Sequence, residues 1–116
     1  MTVAYKEIIY EVENGVATIT INRPDQLNAL TDLTQAEIRH ALLQSEINPD
    51  VVGTILTGAG RGFCSGVDMN ALGGMSEAGK RLGNNYEHLQ ADPGNPDNDP
   101  NYQSSPTYFL GLRKPL

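Results

Sequence analysis

Tryptophan is absent from this 116-residue chain, phenylalanine occurs twice and cysteine once. A lone cysteine forms no internal disulfide, which fits a reducing compartment. Basic residues are scarce: eight Lys and Arg stand against fourteen Asp and Glu, a formal net charge of −6. That balance argues against a nucleic-acid surface, where clustered Lys and Arg are required. It leaves room for an anionic ligand, because a few local cations and backbone N–H groups suffice to hold one. No apolar run approaches the ~20 residues needed to cross a bilayer. The opening Met1-Thr2-Val3-Ala4-Tyr5-Lys6-Glu7 has no signal-peptide apolar core. The expectation is a cytoplasmic chain with neither membrane nor nucleic acid as a partner. Much of the Gly and Pro lies in the last third, so the core has to come from the first seventy residues.

What is present begins with an alternating segment. Ile8, Tyr10 and Val12 fall on one face, and Glu7, Ile9, Glu11 and Glu13 on the other. Asn14-Gly15 follows, the strongest two-residue hairpin signal, because both central positions of a type I′ turn need positive φ. Val16 to Ile21 reads as the returning strand, with Ala17, Ile19 and Ile21 apolar, and Pro24 ends the pairing. A helix is predicted from Asp32 to Ile47. Thr34 and Glu37 have capping-box spacing, with Thr31 a rival N-cap one turn earlier. Leu33, Ala36, Leu43 and Ile47 form one apolar stripe, and Ile38, Ala41 and Leu42 a second. In a β-β-α-β arrangement one stripe meets the sheet and the other meets a further element.

The short β-branched run Val51-Val52-Gly53-Thr54-Ile55-Leu56 reads as a strand buried on both faces. The segment Thr57-Gly58-Ala59-Gly60-Arg61-Gly62-Phe63-Cys64-Ser65-Gly66-Val67-Asp68-Met69 leaves it, with four glycines in nine residues. Such a loop brings bare backbone N–H groups close to a ligand and aims them at developing negative charge. A dinucleotide fingerprint fails, because Phe63 stands where the third glycine of the pattern belongs. A nucleophile elbow is satisfied in letters by Gly62-Phe63-Cys64-Ser65-Gly66, with Cys64 as nucleophile. An elbow sits directly on a strand end, however, and here Ala59-Gly60-Arg61-Gly62 intervenes. Cys64 also has no His within twenty residues to lower its pKa, so a small buried hydrophobe is the simpler role. His40 and His88 lack a metal-ligand neighbour at i+3 or i+4, so no metal is expected.

Two segments together, Asn22-Arg23-Pro24-Asp25-Gln26-Leu27-Asn28-Ala29-Leu30 and the glycine-rich run through Met69, resemble the crotonase superfamily, the enoyl-CoA hydratase/isomerase family. The likeness covers roughly residues 5 to 72. It implies an α/β fold, the N-terminal part of a ClpP/crotonase-like spiral of ββα units. It divides the chain into a core at 1–72, a weakly ordered helix and Pro/Asn/Asp-rich loop at 73–106, and a short helix at 107–116 leading to the next core strand. The family's domain is more than twice as long, so the chain reads as part of a larger protein.

By the same resemblance, the backbone N–H of Val67 is one donor of an oxyanion hole for a thioester carbonyl, with Gly66 allowing close approach. One such donor is worth about 3 kcal/mol of barrier. Leu27, Ala29, Ser65, Asp68 and Met69 match positions along the CoA moiety of the substrate. Packing is the competing role for Leu27 and Ala29, and helix capping for Asp68. Arg23 reads as a structural bridge rather than a phosphate ligand. Asn70 stands where many hydratases of the family carry Lys.

The family's second oxyanion donor and its acid/base carboxylates belong to segments after Leu116, and Glu77 and Glu87 are not put in their place. The implied partner is an acyl-CoA thioester, with no separate cofactor and a homotrimeric or hexameric parent. The default reaction is hydration of a 2-enoyl-CoA. The alternatives are a non-catalytic CoA-binding or assembly remnant and the Cys64 hydrolase. Made alone, the 116 residues are expected neither to catalyse nor to behave as a well-folded monomer, with residues 92 to 106 the most mobile.

Overall fold

The computed structural model describes residues 4–66 together with 89, 112 and 114–116. Strand β1 (Ile8–Glu13) and strand β2 (Val16–Ile21) pair antiparallel, with Glu13 opposite Val16 and Ile8 opposite Ile21. The register follows from the turn: Asn14 at φ 52° and Gly15 at φ 81° supply the two left-handed residues that a two-residue hairpin needs. Helix α1 (Asp32–Ile47) then carries the chain to strand β3 (Gly53–Gly58), which pairs parallel with β2 and puts β2 in the centre of the sheet. The order is therefore ββαβ, as the alternation and the helical stripes require.

The core lies between one sheet face and α1. Ile8, Ile19 and Ile21 meet Ile38, Ala41 and Leu42, all buried. The other predicted stripe behaves differently along its length: Ala36 is fully buried, Leu33 and Leu43 are half-buried, and Ile47 is exposed.

Two expectations are corrected here. Residues 51 and 52 precede β3 rather than belong to it. Val51 donates its N–H to Asn48 and Val52 to Gly15, so ladder pairing starts at Gly53 opposite Val16. The strand is also not covered on both faces, since Ile55 is 52% exposed. Ile55 shares its face with Thr18 of β2 and Glu11 of β1, which are partly or fully exposed, whereas Thr54 beside it points at α1 through a hydroxyl contact with Ser45.

The helix start is also resolved. Thr31 is the N-cap: it accepts from Thr34 N at 3.1 Å while Thr34 Oγ1 accepts from Thr31 N, a reciprocal box closed by threonine instead of Glu37. Glu37 is buried one turn on and accepts the backbone N–H groups of Lys6 and Glu7, each at 2.7 Å, tying the approach to β1 onto the helix. At the other end, Lys114 Nζ donates to the carbonyls of Ser45 and Asn48 at 2.9 and 2.6 Å. A cation there complements the negative end of the helix dipole. Pro115 O accepts from Thr54 N at 2.8 Å, so the 114–116 segment lies along the far edge of β3, where the next core strand was expected to approach. Of the short helix expected over 107–116, the described residues 112 and 114–116 are not helical; its remaining residues, the candidate helix Ser76 to Leu89 apart from the buried Leu89, and the loop at 92–106 fall outside the described residues.

Tyr5 donates to, or accepts from, His40 Nδ1 at 2.8 Å beside the edge of Tyr10. Burial, with smaller contributions from Tyr10 and Glu37, pushes its phenol from 10.0 up to about 12. The raised value means that the fold favours the neutral phenol. Its contribution is intact below the ordinary value and is lost as pH rises through about 12. Thermal unfolding should therefore show a midpoint that falls between pH 10 and pH 12, and Tyr5→Phe should flatten that fall. An identical alkaline limb in the variant would remove Tyr5 from the account.

Candidate active site

Two loops meet at the carboxyl end of β2 and β3. The first leaves β2 at Asn22, makes a 3-10 turn over Pro24–Gln26, and places Leu27 and Asn28 in left-handed conformation at φ 51° and 57°. Proline begins that turn because its fixed φ suits the first position and its missing N–H costs nothing there. The second loop leaves Gly58 and runs through Gly66. It cannot start with any larger residue. A Cβ on Gly58 would stand 2.4 Å from Phe63 O, 2.5 Å from Gly62 O and 2.7 Å from Asn28 Nδ2. The loop thus folds back on its own strand end, and glycine is required by close approach.

Asn28 joins the two loops. Its side chain is fully buried, Oδ1 accepts from Arg23 N at 2.8 Å, and Nδ2 donates to Ala59 O at 2.9 Å and Gly62 O at 2.8 Å. Beyond it, Ser65 N donates to Leu27 O at 3.1 Å and Leu30 N to Gly66 O at 2.7 Å. Arg23 braces the first loop from outside. Its guanidinium pairs with Glu7 at 3.3 Å and also donates to Ala29 O, as the structural-bridge reading requires. Glu7 in turn accepts from the hydroxyls of Thr31 and Thr34. The turn at 27–30 is therefore anchored to β1, to the start of α1 and to the glycine-rich loop.

Of the residues singled out in the sequence, Leu27 and Ser65 come together, both exposed and both lining a concavity of about 320 Å³ with Arg61, Gly62, Phe63 and Cys64. Ala29 sits half-buried, its carbonyl taken by Arg23. Gly66 has φ 119°, a conformation that favours glycine, while no described residue stands within 4 Å of where its Cβ would point, so glycine is required there by conformation and not by close approach. Val67, Asp68 and Met69 lie outside the described residues, as do Asn70, Glu77 and Glu87. Cys64 is half-buried against the core cluster, with Sγ 3.9 Å from Gly66 O. Five residues separate it from the end of β3, so the strained strand-to-helix turn of a nucleophile elbow is not formed there. No group of three His, Cys, Asp or Glu among the described residues is placed to hold a metal ion.

Sequence reasoning missed Asn28, whose only local signal is its place after Leu27 in a turn that demands positive φ. It also missed Glu37 as a partner of backbone N–H groups.

The arrangement offers a concavity on the glycine-rich loop beside the 27–30 turn, at the ends of two parallel strands. Comparison with known proteins agrees with that layout. The family model described as enoyl-CoA hydratase/isomerase matches residues 11–92. A probable enoyl-CoA hydratase of Mycobacterium tuberculosis is 45% identical over 69 residues, covering 60% of this chain and 27% of its own length. The 1,2-epoxyphenylacetyl-CoA isomerase of Escherichia coli is 46% identical over 63 residues, covering 54% and 24%. Among solved structures, an enoyl-CoA hydratase/isomerase from Mycobacterium paratuberculosis aligns at TM-score 0.54 with 47% identity, covering 55% of this chain and 25% of that one. An enoyl-CoA hydratase subunit from Geobacillus kaustophilus aligns at TM-score 0.58 with 36% identity, covering 60% and 27%. The chain thus spans about a quarter of the length of these relatives and corresponds to their N-terminal portion. Those matches, the ββαβ order and the paired loops together place the chain in the enoyl-CoA hydratase/isomerase family, within the crotonase superfamily.

Proposed function

We propose that this chain forms the acyl-CoA-binding side of an enoyl-CoA hydratase/isomerase-type site, in which the backbone N–H of Val67 polarises a thioester carbonyl. The observation that carries the reading is the seam between the 27–30 turn and the 58–66 loop. It ends at Gly66, whose positive φ leads directly into Val67. A backbone donor that follows Gly66 and meets the carbonyl oxygen strengthens as negative charge develops there in an enolate. Charge on that oxygen acidifies the α-carbon, which hydration and isomerisation both need. Hydration of a 2-enoyl-CoA is the default reaction. The relatives named hydratase and isomerase leave both chemistries open to a site of this kind.

In this reading Leu27 and Ala29 border the pantetheine path, while Ser65, Asp68 and Met69 approach the upper part of CoA. Acid/base groups and a second donor are supplied from outside residues 1–116. The exposed Ile47, Val52 and Ile55 support association of the chain when it is made alone. An enzyme that carries this segment should be retained on immobilised CoA, be released by crotonyl-CoA and hydrate it; retention without turnover would favour the non-catalytic remnant. Passage straight through the matrix would refute the reading. Alkylation of Cys64 that abolished chemistry on an ester or thioester would favour the cysteine hydrolase instead.

A further inference from the structure

We infer that Asn28 is a positioning residue for the glycine-rich loop, holding residues 59–66 at a fixed height against the 27–30 turn. Every hydrogen-bonding atom of its amide that the geometry accounts for is used across this seam. Both Nδ2 protons go to loop carbonyls, Ala59 and Gly62, and Oδ1 takes the N–H of Arg23. The side chain is fully buried, so these bonds face no competition from water. Residue 28 is at φ 57°, a region that Asn tolerates because its short side chain bonds locally. Gly58 completes the fit, since a Cβ there would stand 2.7 Å from Asn28 Nδ2. Without Asn28, the backbone bonds at the two ends, Ala59 N to Ile21 O at the start and Ser65 N to Leu27 O and Leu30 N to Gly66 O at the finish, are left to fix a loop that contains Gly60, Gly62 and Gly66.

What the loop is held for rests on the acyl-CoA reading; that it is held does not. The test uses two variants of the whole chain that keep the left-handed backbone. Asn28→Asp retains an acceptor for Arg23 N but turns a carboxylate oxygen toward two carbonyls. Asn28→Gly removes the side chain with no added charge. Hydrogen exchange is followed in peptides covering 27–31 and 59–66, with the central strand at 16–21 as the internal control.

Both variants should speed exchange in the two loop peptides by about tenfold, the effect of losing one to two net hydrogen bonds, with the strand peptide unchanged. Binding of crotonyl-CoA and of free CoA is measured alongside. A positioning role predicts that the preference for crotonyl-CoA over CoA falls, because Ser65 serves both ligands whereas the donor that follows Gly66 serves the acyl carbonyl alone.

Equal loosening of loop and strand would overturn the inference and make Asn28 a residue of general stability. Loosening in Asn28→Asp alone would overturn it too, as a charge effect. A loosened loop with the acyl preference intact would support the hold and overturn its link to the acyl carbonyl. A wild-type chain that does not distinguish crotonyl-CoA from CoA would instead refute the acyl-CoA reading, leaving the hold on the loop to be decided by the exchange data.

Discussion

Gly58→Ala should destabilise the chain by about 3 kcal/mol, a large effect for the addition of one methyl group. The added carbon would stand within 2.4 and 2.5 Å of the carbonyl oxygens of Phe63 and Gly62, and within 2.7 Å of Asn28 Nδ2. None of these neighbours is the free end of a flexible side chain. Two are backbone, and the third is a buried amide with three bonds of its own. Relief therefore requires the loop to lift from the strand, which breaks the Asn28 contacts as well. Gly62→Ala is the control: nothing lies within 4 Å of its added carbon, and it should stay within about 0.5 kcal/mol of wild type. Urea midpoints of the two variants, each placed in a longer enzyme that carries this segment and at unchanged slope, make the comparison. Equal midpoints would mean that the loop does not pack on Gly58 as described.

How far the fold could be read from the sequence depended on how local its determinants were. The hairpin was legible because Asn14 and Gly15 carry their turn type in their own φ preferences, and the alternation of Ala17, Ile19 and Ile21 sets the buried face without reference to the rest of the chain. The helix limits were legible for the same reason, with Thr31 before Asp32 and Pro49 after Ile47. What escaped involves partners far apart in the chain. Glu37 looked like a cap residue because Thr34 stands three positions before it, yet its carboxylate serves N–H groups 30 and 31 residues away. Asn28 reaches carbonyls 31 and 34 residues on, a relation that no local pattern announces. The β-branched run at 51–56 predicted burial on both faces, but its residues cannot say what lies over Ile55; the structure leaves it half in solvent. At the site, Leu27 and Ser65 are joined by a bond between their backbones rather than through their side chains, a contact that no local pattern announces.

Val67→Pro carries the largest expected effect on chemistry. Proline has no N–H, so the substitution deletes the proposed oxyanion donor while leaving an apolar side chain of similar bulk. In an enzyme that carries this segment and turns over crotonyl-CoA, loss of one such donor should lower the rate by about 10²–10³-fold. Val67→Ala keeps the N–H and should cost far less. Cys64→Ala should also cost little, since its sulfur packs against the core cluster and faces a carbonyl. A Cys64→Ala variant as impaired as Val67→Pro would move the chemistry from the backbone to the thiol.

If this loop polarises a thioester carbonyl, the carbonyl itself reports on it. Crotonyl-CoA labelled with ¹³C at the thioester carbon should show a downfield carbonyl resonance when bound to the wild-type chain, because hydrogen bonding withdraws electron density from that carbon. Val67→Pro should return the resonance toward its position in free solution while CoA itself still binds. A bound wild-type complex whose carbonyl resonates where the free ligand does would contradict the account.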